Sequence, residues 1–258
     1  TRLHGSPRRR LLGPLVDAID LVALRRVDGV RALSSYTAGL AEEVRGRPVT
    51  GELPTYTDLA AFADRLPVRL PETPTALFVG VLEAYKNVDG LVAAWRRVAR
   101  GMPNARLVVV GRGTKLPLVE QLAAELPGRV EHVAELPPDG VAARMDQSTI
   151  LVLPSRFEGF GRVVIESFAR GRGVVGGRAG GILDLVGDGV EGLLVDPENV
   201  DELAEALERV LSDRALAERL GAAAHERYRA WHSTPEEFAA RLRKLVEATL
   251  LGGRPSLR

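Results

Sequence analysis

Strand-like and helix-like segments alternate without interruption from Ala76 to Leu153, which predicts an α/β fold with helices wrapped around a parallel sheet. Two further observations agree. The helix-like segments, Val88–Arg100 above all, repeat apolar residues at helical spacing, whereas strand-like ones such as Thr149–Leu153 are short, unbroken apolar runs rich in β-branched residues. A chain of 258 residues, 45% of them hydrophobic, is also long enough to bury a substantial core.

At the start of the chain, Arg8, Arg9 and Arg10 precede a mixed apolar run, Leu11–Val30, that reads as an amphipathic helix. A solvated helix with a basic lead accounts for it, and so does a surface that docks on an anionic membrane or a phosphorylated acceptor. Gly46–Thr75 is rich in proline and turn residues, holds one helical pattern at Thr57–Leu66, and reads as a linker leading into the next domain. The sheet then begins. Ala76–Leu82, Ala105–Gly111, Arg129–Ala134 and Thr149–Leu153 are its first strands, with helices at Val88–Arg100, Leu116–Leu126 and Asp139–Met145 between them. Val174–Gly176 and Glu191–Val195 continue it, followed by helices at Val200–Ser212 and Ala215–Trp231. The last helix has a clear start: Thr234 as cap, Pro235 in the first helical position and Glu237 three residues after the cap, a capping box. The expected division is residues 1–50, a linker at 51–74, a central domain at 75–232, and a final helix and tail at 233–258.

The stretch Pro154–Gly181 holds the chemistry. A buried strand leads into a glycine turn, Gly159–Gly161, and then into a helix carrying apolar residues at helical spacing from Arg162 to Arg170. Amide N–H groups at such a helix start, those of Gly159, Phe160 and Gly161, are expected to face outward where the helix dipole favours an anion. Glu158 precedes the helix and Glu166 lies inside it. Two carboxylates beside an anion site repel a phosphate unless each accepts from hydroxyl groups, so the ligand they fit has both phosphate and sugar. A sugar nucleotide has both.

The spacing from Glu158 to Glu166, with Phe160–Gly161 after the first acid and Gly180–Gly181 before a further apolar helix, resembles the E-x7-E signature of retaining glycosyltransferases with the GT-B fold, family 4 (glycosyl transferases group 1). Ala76–Trp95, Ala105–Gly113, Ser148–Gly161 and Ala179–Leu207 fall in the order of that family's donor-binding half. The resemblance implies a Rossmann-like parallel sheet with helices on both faces, the GT-B C-terminal domain, preceded by a remnant of a second α/β domain. Residues 1–50 would then be the end of the acceptor domain, most of which would lie upstream of Thr1, and residues 233–258 the crossover helix and tail.

The residue roles that follow are implied by the same resemblance. Lys86 would hold the leaving diphosphate, Glu158 would accept from the donor sugar, and Glu166 from the ribose. His4 falls on the histidine the family carries at its catalytic cleft. Gly80 would lie against the donor, and Gly180 and Gly181 either let backbone approach it closely or form a plain turn. The family's arginine after the strand glycine is replaced by Val81, and Arg112 and Arg162 are candidate substitutes, or else plain surface arginines. Glycine is usual where Ala134 stands, near the base-binding loop, and proline where Gly173 stands.

Function is therefore expected to be sugar transfer with retention from a nucleotide-diphosphate sugar to a hydroxyl acceptor, whether carbohydrate, lipid-linked or small molecule. The alternative is a sugar-nucleotide-binding module without turnover, or one incomplete without its acceptor domain. A dinucleotide-binding oxidoreductase is disfavoured because no G-x-G-x-x-G follows the first strand. No metal or other cofactor is expected: the chain has no D-x-D triplet and no cysteine, and its four histidines form no local cluster. A net charge of +1 gives no support to a nucleic-acid partner. No apolar run is long enough to cross a bilayer, so the expected location is cytoplasmic, with the Arg-rich N-terminus a candidate for peripheral membrane contact.

Overall fold

A computed structural model describes residues 18–64 and 66–251. His4 and Arg8–Arg10 lie outside the described residues. Two compact units are present, one comprising Thr57–His232 and the other the described parts of Thr1–Tyr56 and Ser233–Arg258. In the smaller unit, residues 18–26 are helical (α1), and β1 (Arg31–Ala32) pairs in parallel with β2 (Gly51–Glu52) on either side of α2 (Ser35–Arg45). Ser34 caps α2, its hydroxyl accepting from the Thr37 amide while the Thr37 hydroxyl accepts from the Ser34 amide. Gly46, at φ 67°, ends it.

The larger unit is built on a six-stranded parallel sheet. In chain order come the single turn α3 (Ala60–Ala63), β3 (Thr75–Val79), a 3₁₀ turn at Ala84–Lys86, α4 (Val88–Gly101), β4 (Arg106–Val110), α5 (Leu116–Glu125), β5 (Val130–Val133), α6 (Pro138–Asp146) and β6 (Ile150–Leu153). α7 (Arg162–Ala169), β7 (Val174–Gly177), α8 (Ile182–Leu185), β8 (Gly192–Val195), α9 (Val200–Ser212) and α10 (Arg214–Tyr228) complete it. The strands lie in the order β5-β4-β3-β6-β7-β8. The chain thus builds outward from β3 to β5, returns across the sheet through α6, and builds outward again from β6. That reversal makes the gap beyond the carboxyl ends of β3 and β6 the topological switch point, where open parallel sheets bind ligands.

Both faces of the sheet are covered: α4 packs against α5 and α9, while α7 packs against α10 and, with α6, against α3. The reason is legible in the buried residues. α4 buries Val88, Leu91, Val92, Trp95, Val98 and Ala99, one helical stripe, and α9 answers with Leu203, Ala204, Leu207, Val210 and Leu211. Each such leucine or valine contributes about 1.5–3 kcal/mol when taken out of water. β6 and β7 are buried at every residue, as expected of central parallel strands. The helix expected over Thr57–Leu66 is reduced to one turn, held by the buried Phe62 and stopped short of Pro67.

Two buried arginines tie the segment after α3 to this unit. Arg170 grips Asp146 with two bonds of 2.9 Å and donates to the carbonyl oxygens of Phe62 and Leu66. Arg172 donates to the carbonyls of Met145, Ser148, Val68 and Asp146. Its burial lowers its pKa to about 10, against the pull of Asp146. Carbonyl oxygens that would otherwise be orphaned beneath a loop are satisfied by these two forks.

The smaller unit is completed by α11 (Pro235–Leu250), whose start has the expected form: Thr234 and Glu237 cap each other's amides, with Pro235 in the first position. Leu245 is buried, whereas Val246 and Leu250 are 52% and 79% exposed, so the helix carries an open apolar stripe.

Candidate functional site

Four loops leave the carboxyl ends of β4, β3, β6 and β7, and they are stitched to one another in that order. The β3 loop (residues 80–86) lies on the β4 loop: the Leu82 amide donates to the Arg112 carbonyl at 2.8 Å, the Lys115 amide to the Leu82 carbonyl at 2.8 Å, and the Thr114 hydroxyl to Glu83 at 2.7 Å. This approach requires glycine. A Cβ on Gly111, whose φ is 149°, would fall 1.8 Å from the Gly80 carbonyl oxygen. The β6 loop reaches the β3 loop through the Arg156 amide, which donates to the Tyr85 carbonyl at 2.8 Å. The β7 loop closes on the β6 loop, the Gly181 amide donating to the Glu158 carbonyl at 2.8 Å.

This framework brings together residues that are far apart in sequence. Lys86, at the end of the 3₁₀ turn, forms an ion pair with Glu158, and the two side chains are only 12% and 14% exposed. The Lys86 ammonium also lies 5.6 Å from the centroid of the Tyr85 ring. Burial, with the charge of Glu158 beside it, pushes the Tyr85 phenol above its usual pKa. Directly after Lys86, Asn87 takes a left-handed conformation, φ 56°, and caps α4 by accepting from the Gly90 amide, while its own amide group donates to the Pro197 carbonyl.

Glu166, in the second turn of α7, is 12% exposed and meets Arg162 at 3.5 Å. Burial raises its pKa against the opposing pull of Arg162. The folded state therefore holds this proton to a higher pH than the unfolded chain does, and stability falls as pH rises from the ordinary value of 4.5 through the raised one. Glu166→Gln is expected to stabilise the protein near pH 7, with the difference fading below pH 4.5. Urea unfolding as a function of pH checks it, and a pH-independent difference would show that the carboxylate carries no burial cost.

The remaining expected site residues are placed as follows. Gly161, at φ 90°, caps α7, and Phe160 is buried, its ring edge-on to Trp231 at 5.4 Å. The turn therefore turns a side chain inward. Gly180, at φ 62°, passes so close to Glu158 that a Cβ would lie 2.2 Å from its carbonyl oxygen. Gly180→Ala should cost about 1–3 kcal/mol in strain, which urea unfolding would register. An unchanged midpoint would refute the close approach. Arg112 is 70% exposed and reaches Glu135 at 3.8 Å; Arg162 is 57% exposed and is turned to Glu166. Neither is drawn to the Lys86–Glu158 pair, and Val81 is 46% exposed. His132, in the expected base-binding region, bonds the Gly111 carbonyl at 2.8 Å.

Four residues of this site escape the sequence reading: Tyr85, and Arg156 with the two carboxylates it donates to, Asp89 at 3.0 Å and Glu198 at 2.7 Å. Arg156 lies within the glycine-turn stretch and was open to notice there, but its partners, 67 and 42 residues away, are not marked by any local pattern.

The model of the family described as Glycosyl transferases group 1 matches residues 64–227, more than half of the chain. This chain belongs to that family. It is 33% identical over 255 residues to a D-inositol 3-phosphate glycosyltransferase of Thermobifida fusca, a match covering 92% of this chain and 58% of the relative. Among solved structures it is similar to a sucrose-phosphate synthase from Thermosynechococcus elongatus, with a TM-score of 0.79, 28% identity, and coverage of 92% of this chain and 62% of that one. The C-terminal domain of a group 1 family protein from Francisella tularensis shares the fold at a TM-score of 0.60 and 20% identity, matching 68% of this chain and 97% of that domain. The group 1 chain spans about half the length of the curated relatives it matches. Among its described residues no helix is long and apolar enough to cross a membrane.

Proposed function

We propose that this chain carries the donor-binding site of a retaining glycosyltransferase that moves a sugar from a nucleotide-diphosphate sugar to a hydroxyl acceptor. The observation that carries the reading is the largely buried Lys86–Glu158 pair beyond the ends of β3 and β6, with Glu166, also largely buried, in the helix that follows Glu158, in a chain of this family. The ammonium of Lys86 meets the charge that develops on the leaving diphosphate, and the amides at the start of α7 add a fixed positive potential. Glu158, once its lysine turns to phosphate, accepts from hydroxyls of the sugar, and Glu166 accepts from the ribose. Retention follows if the leaving phosphate stays in place while the acceptor enters on the same face, so that the protein positions and stabilises charge. The reading calls for no metal ion. His4 is assigned to the catalytic cleft, and Gly80, Gly159, Gly161 and Gly181 to backbone contact with the donor.

Calorimetric titration with UDP, GDP and ADP, followed by incubation with the matching sugar nucleotides and NMR of the anomeric product, tests the reading. Binding of one nucleoside diphosphate and an anomer matching the donor's is the expected result. Failure of all three diphosphates to bind would remove it. Val81 favours a second reading, a sugar-nucleotide-binding module without turnover, since it leaves one phosphate-neutralising cation fewer. Binding without release of the diphosphate would select that alternative.

A further inference from the structure

We infer that Arg156 is the positioning residue of this site: it locks the Lys86 turn against the loop that carries Glu158. Its backbone amide donates to the Tyr85 carbonyl at 2.8 Å. One terminal nitrogen of its guanidinium donates to the Ala84 carbonyl at 2.9 Å, and both terminal nitrogens form a fork on Asp89, at 3.0 Å each. Nε donates to Glu198 at 2.7 Å. The contacts fall on both sides of one residue. Ala84 and Tyr85 lie immediately before Lys86, and Asp89 lies in the first turn of the helix immediately after it, so a single planar group spans the backbone that sets the direction of the lysine.

Glu158 stands two residues after Arg156 in the same loop, which makes the clamp and the ion pair two ends of one short rigid connection. A lysine on a free 3₁₀ turn would have to surrender both backbone and side-chain freedom to reach Glu158 or a phosphate. Held by Arg156, the turn has already given up the backbone part, and misplacement of a charged group by about 1 Å is enough to cost two orders of magnitude in rate. The Asp89 carboxyl, held below its usual pKa by the bond to Arg156, stays charged across the working range and keeps the fork closed. Glu198, after β8, extends the clamp to a third loop.

The test has a part independent of any ligand. The coupling between Lys86 and Glu158 is measured by a double-mutant cycle, Lys86→Met with Glu158→Gln, in urea unfolding, once in the Arg156 background and once with Arg156→Met. The coupling is expected to fall at least roughly threefold without the clamp, and Arg156→Lys, which keeps charge and loses the fork, is expected to behave as the methionine variant does. Unchanged coupling, or full rescue by lysine, would overturn the inference.

The second part rests on the donor-site reading and uses UDP against UMP, with GDP against GMP and ADP against AMP in parallel. Whichever base binds, the preference for diphosphate over monophosphate is expected to drop roughly tenfold in Arg156→Met, matching the drop in Lys86→Met, while monophosphate affinity stays put. A general loss of structure would weaken both nucleotides alike and leave the ratio intact, which would also overturn the inference. If wild-type protein shows no diphosphate preference while the coupling still collapses, the clamp stands and the donor-site reading falls.

Discussion

If the proposed donor site is right, Lys86→Met is expected to reduce sugar transfer by roughly 10²- to 10³-fold, the range seen when one preorganised charge-stabilising group is removed from a reacting centre. The effect should fall at the upper end here. On that reading Val81 leaves the site one cation fewer, and the exposed Arg112 and Arg162 lie against Glu135 and Glu166. Steady-state release of nucleoside diphosphate measures the effect, and the split between kcat and KM assigns it. A fall mainly in kcat means that the ammonium acts on charge that develops in the transition state, whereas a rise in KM alone means that it binds donor and transition state equally. Loss smaller than tenfold would show that the phosphate charge is met elsewhere. Folding is expected to survive the change, because the pair retains some solvent access and Glu158 keeps its backbone bond to Gly181.

Asp146→Ala is expected to destabilise the larger unit by about 3–5 kcal/mol, the cost of leaving one charge of a buried pair without its partner. The fully buried Arg170 fork would lose both of its carboxylate bonds, and Arg172 beside it would lose the acid that opposes the fall in its pKa. Equilibrium unfolding in urea reads this directly. Asp146→Asn keeps the shape and one acceptor, so it should recover part of the loss. If Asp146→Ala costs under about 1 kcal/mol, as an exposed pair would, the fork contributes little to the fold.

Much of this molecule is written locally. The alternation of apolar runs with amphipathic stretches marks β3 to β6 and the helices between them, since an unbroken apolar run or a period of 3.6 is a property of consecutive residues. The cap on α11 is equally local: Thr234, Pro235 and Glu237 meet within one turn. The two glutamates could be found by their spacing, and each lies where a strand-turn-helix puts it, one before α7 and one within. A one-turn α3 was not legible as such, because its length is decided by how Phe62 and Pro67 pack, and propensity over Thr57–Leu66 favoured more.

What tertiary structure alone decided is the order of the strands and everything that order brings together. Nothing in a run of valines says which neighbour it will pair with, so the placing of β3 beside β6, and hence of a switch point, is not in the local pattern. Lys86 and Glu158, 72 residues apart, become partners only through that pairing. No local pattern marks Arg156, Asp89 and Glu198, or the pair Arg170 and Arg172, for the partners they take. Long-range packing closes the first three into a clamp and buries the other two, because guanidinium forks follow carbonyls and carboxylates wherever the fold delivers them.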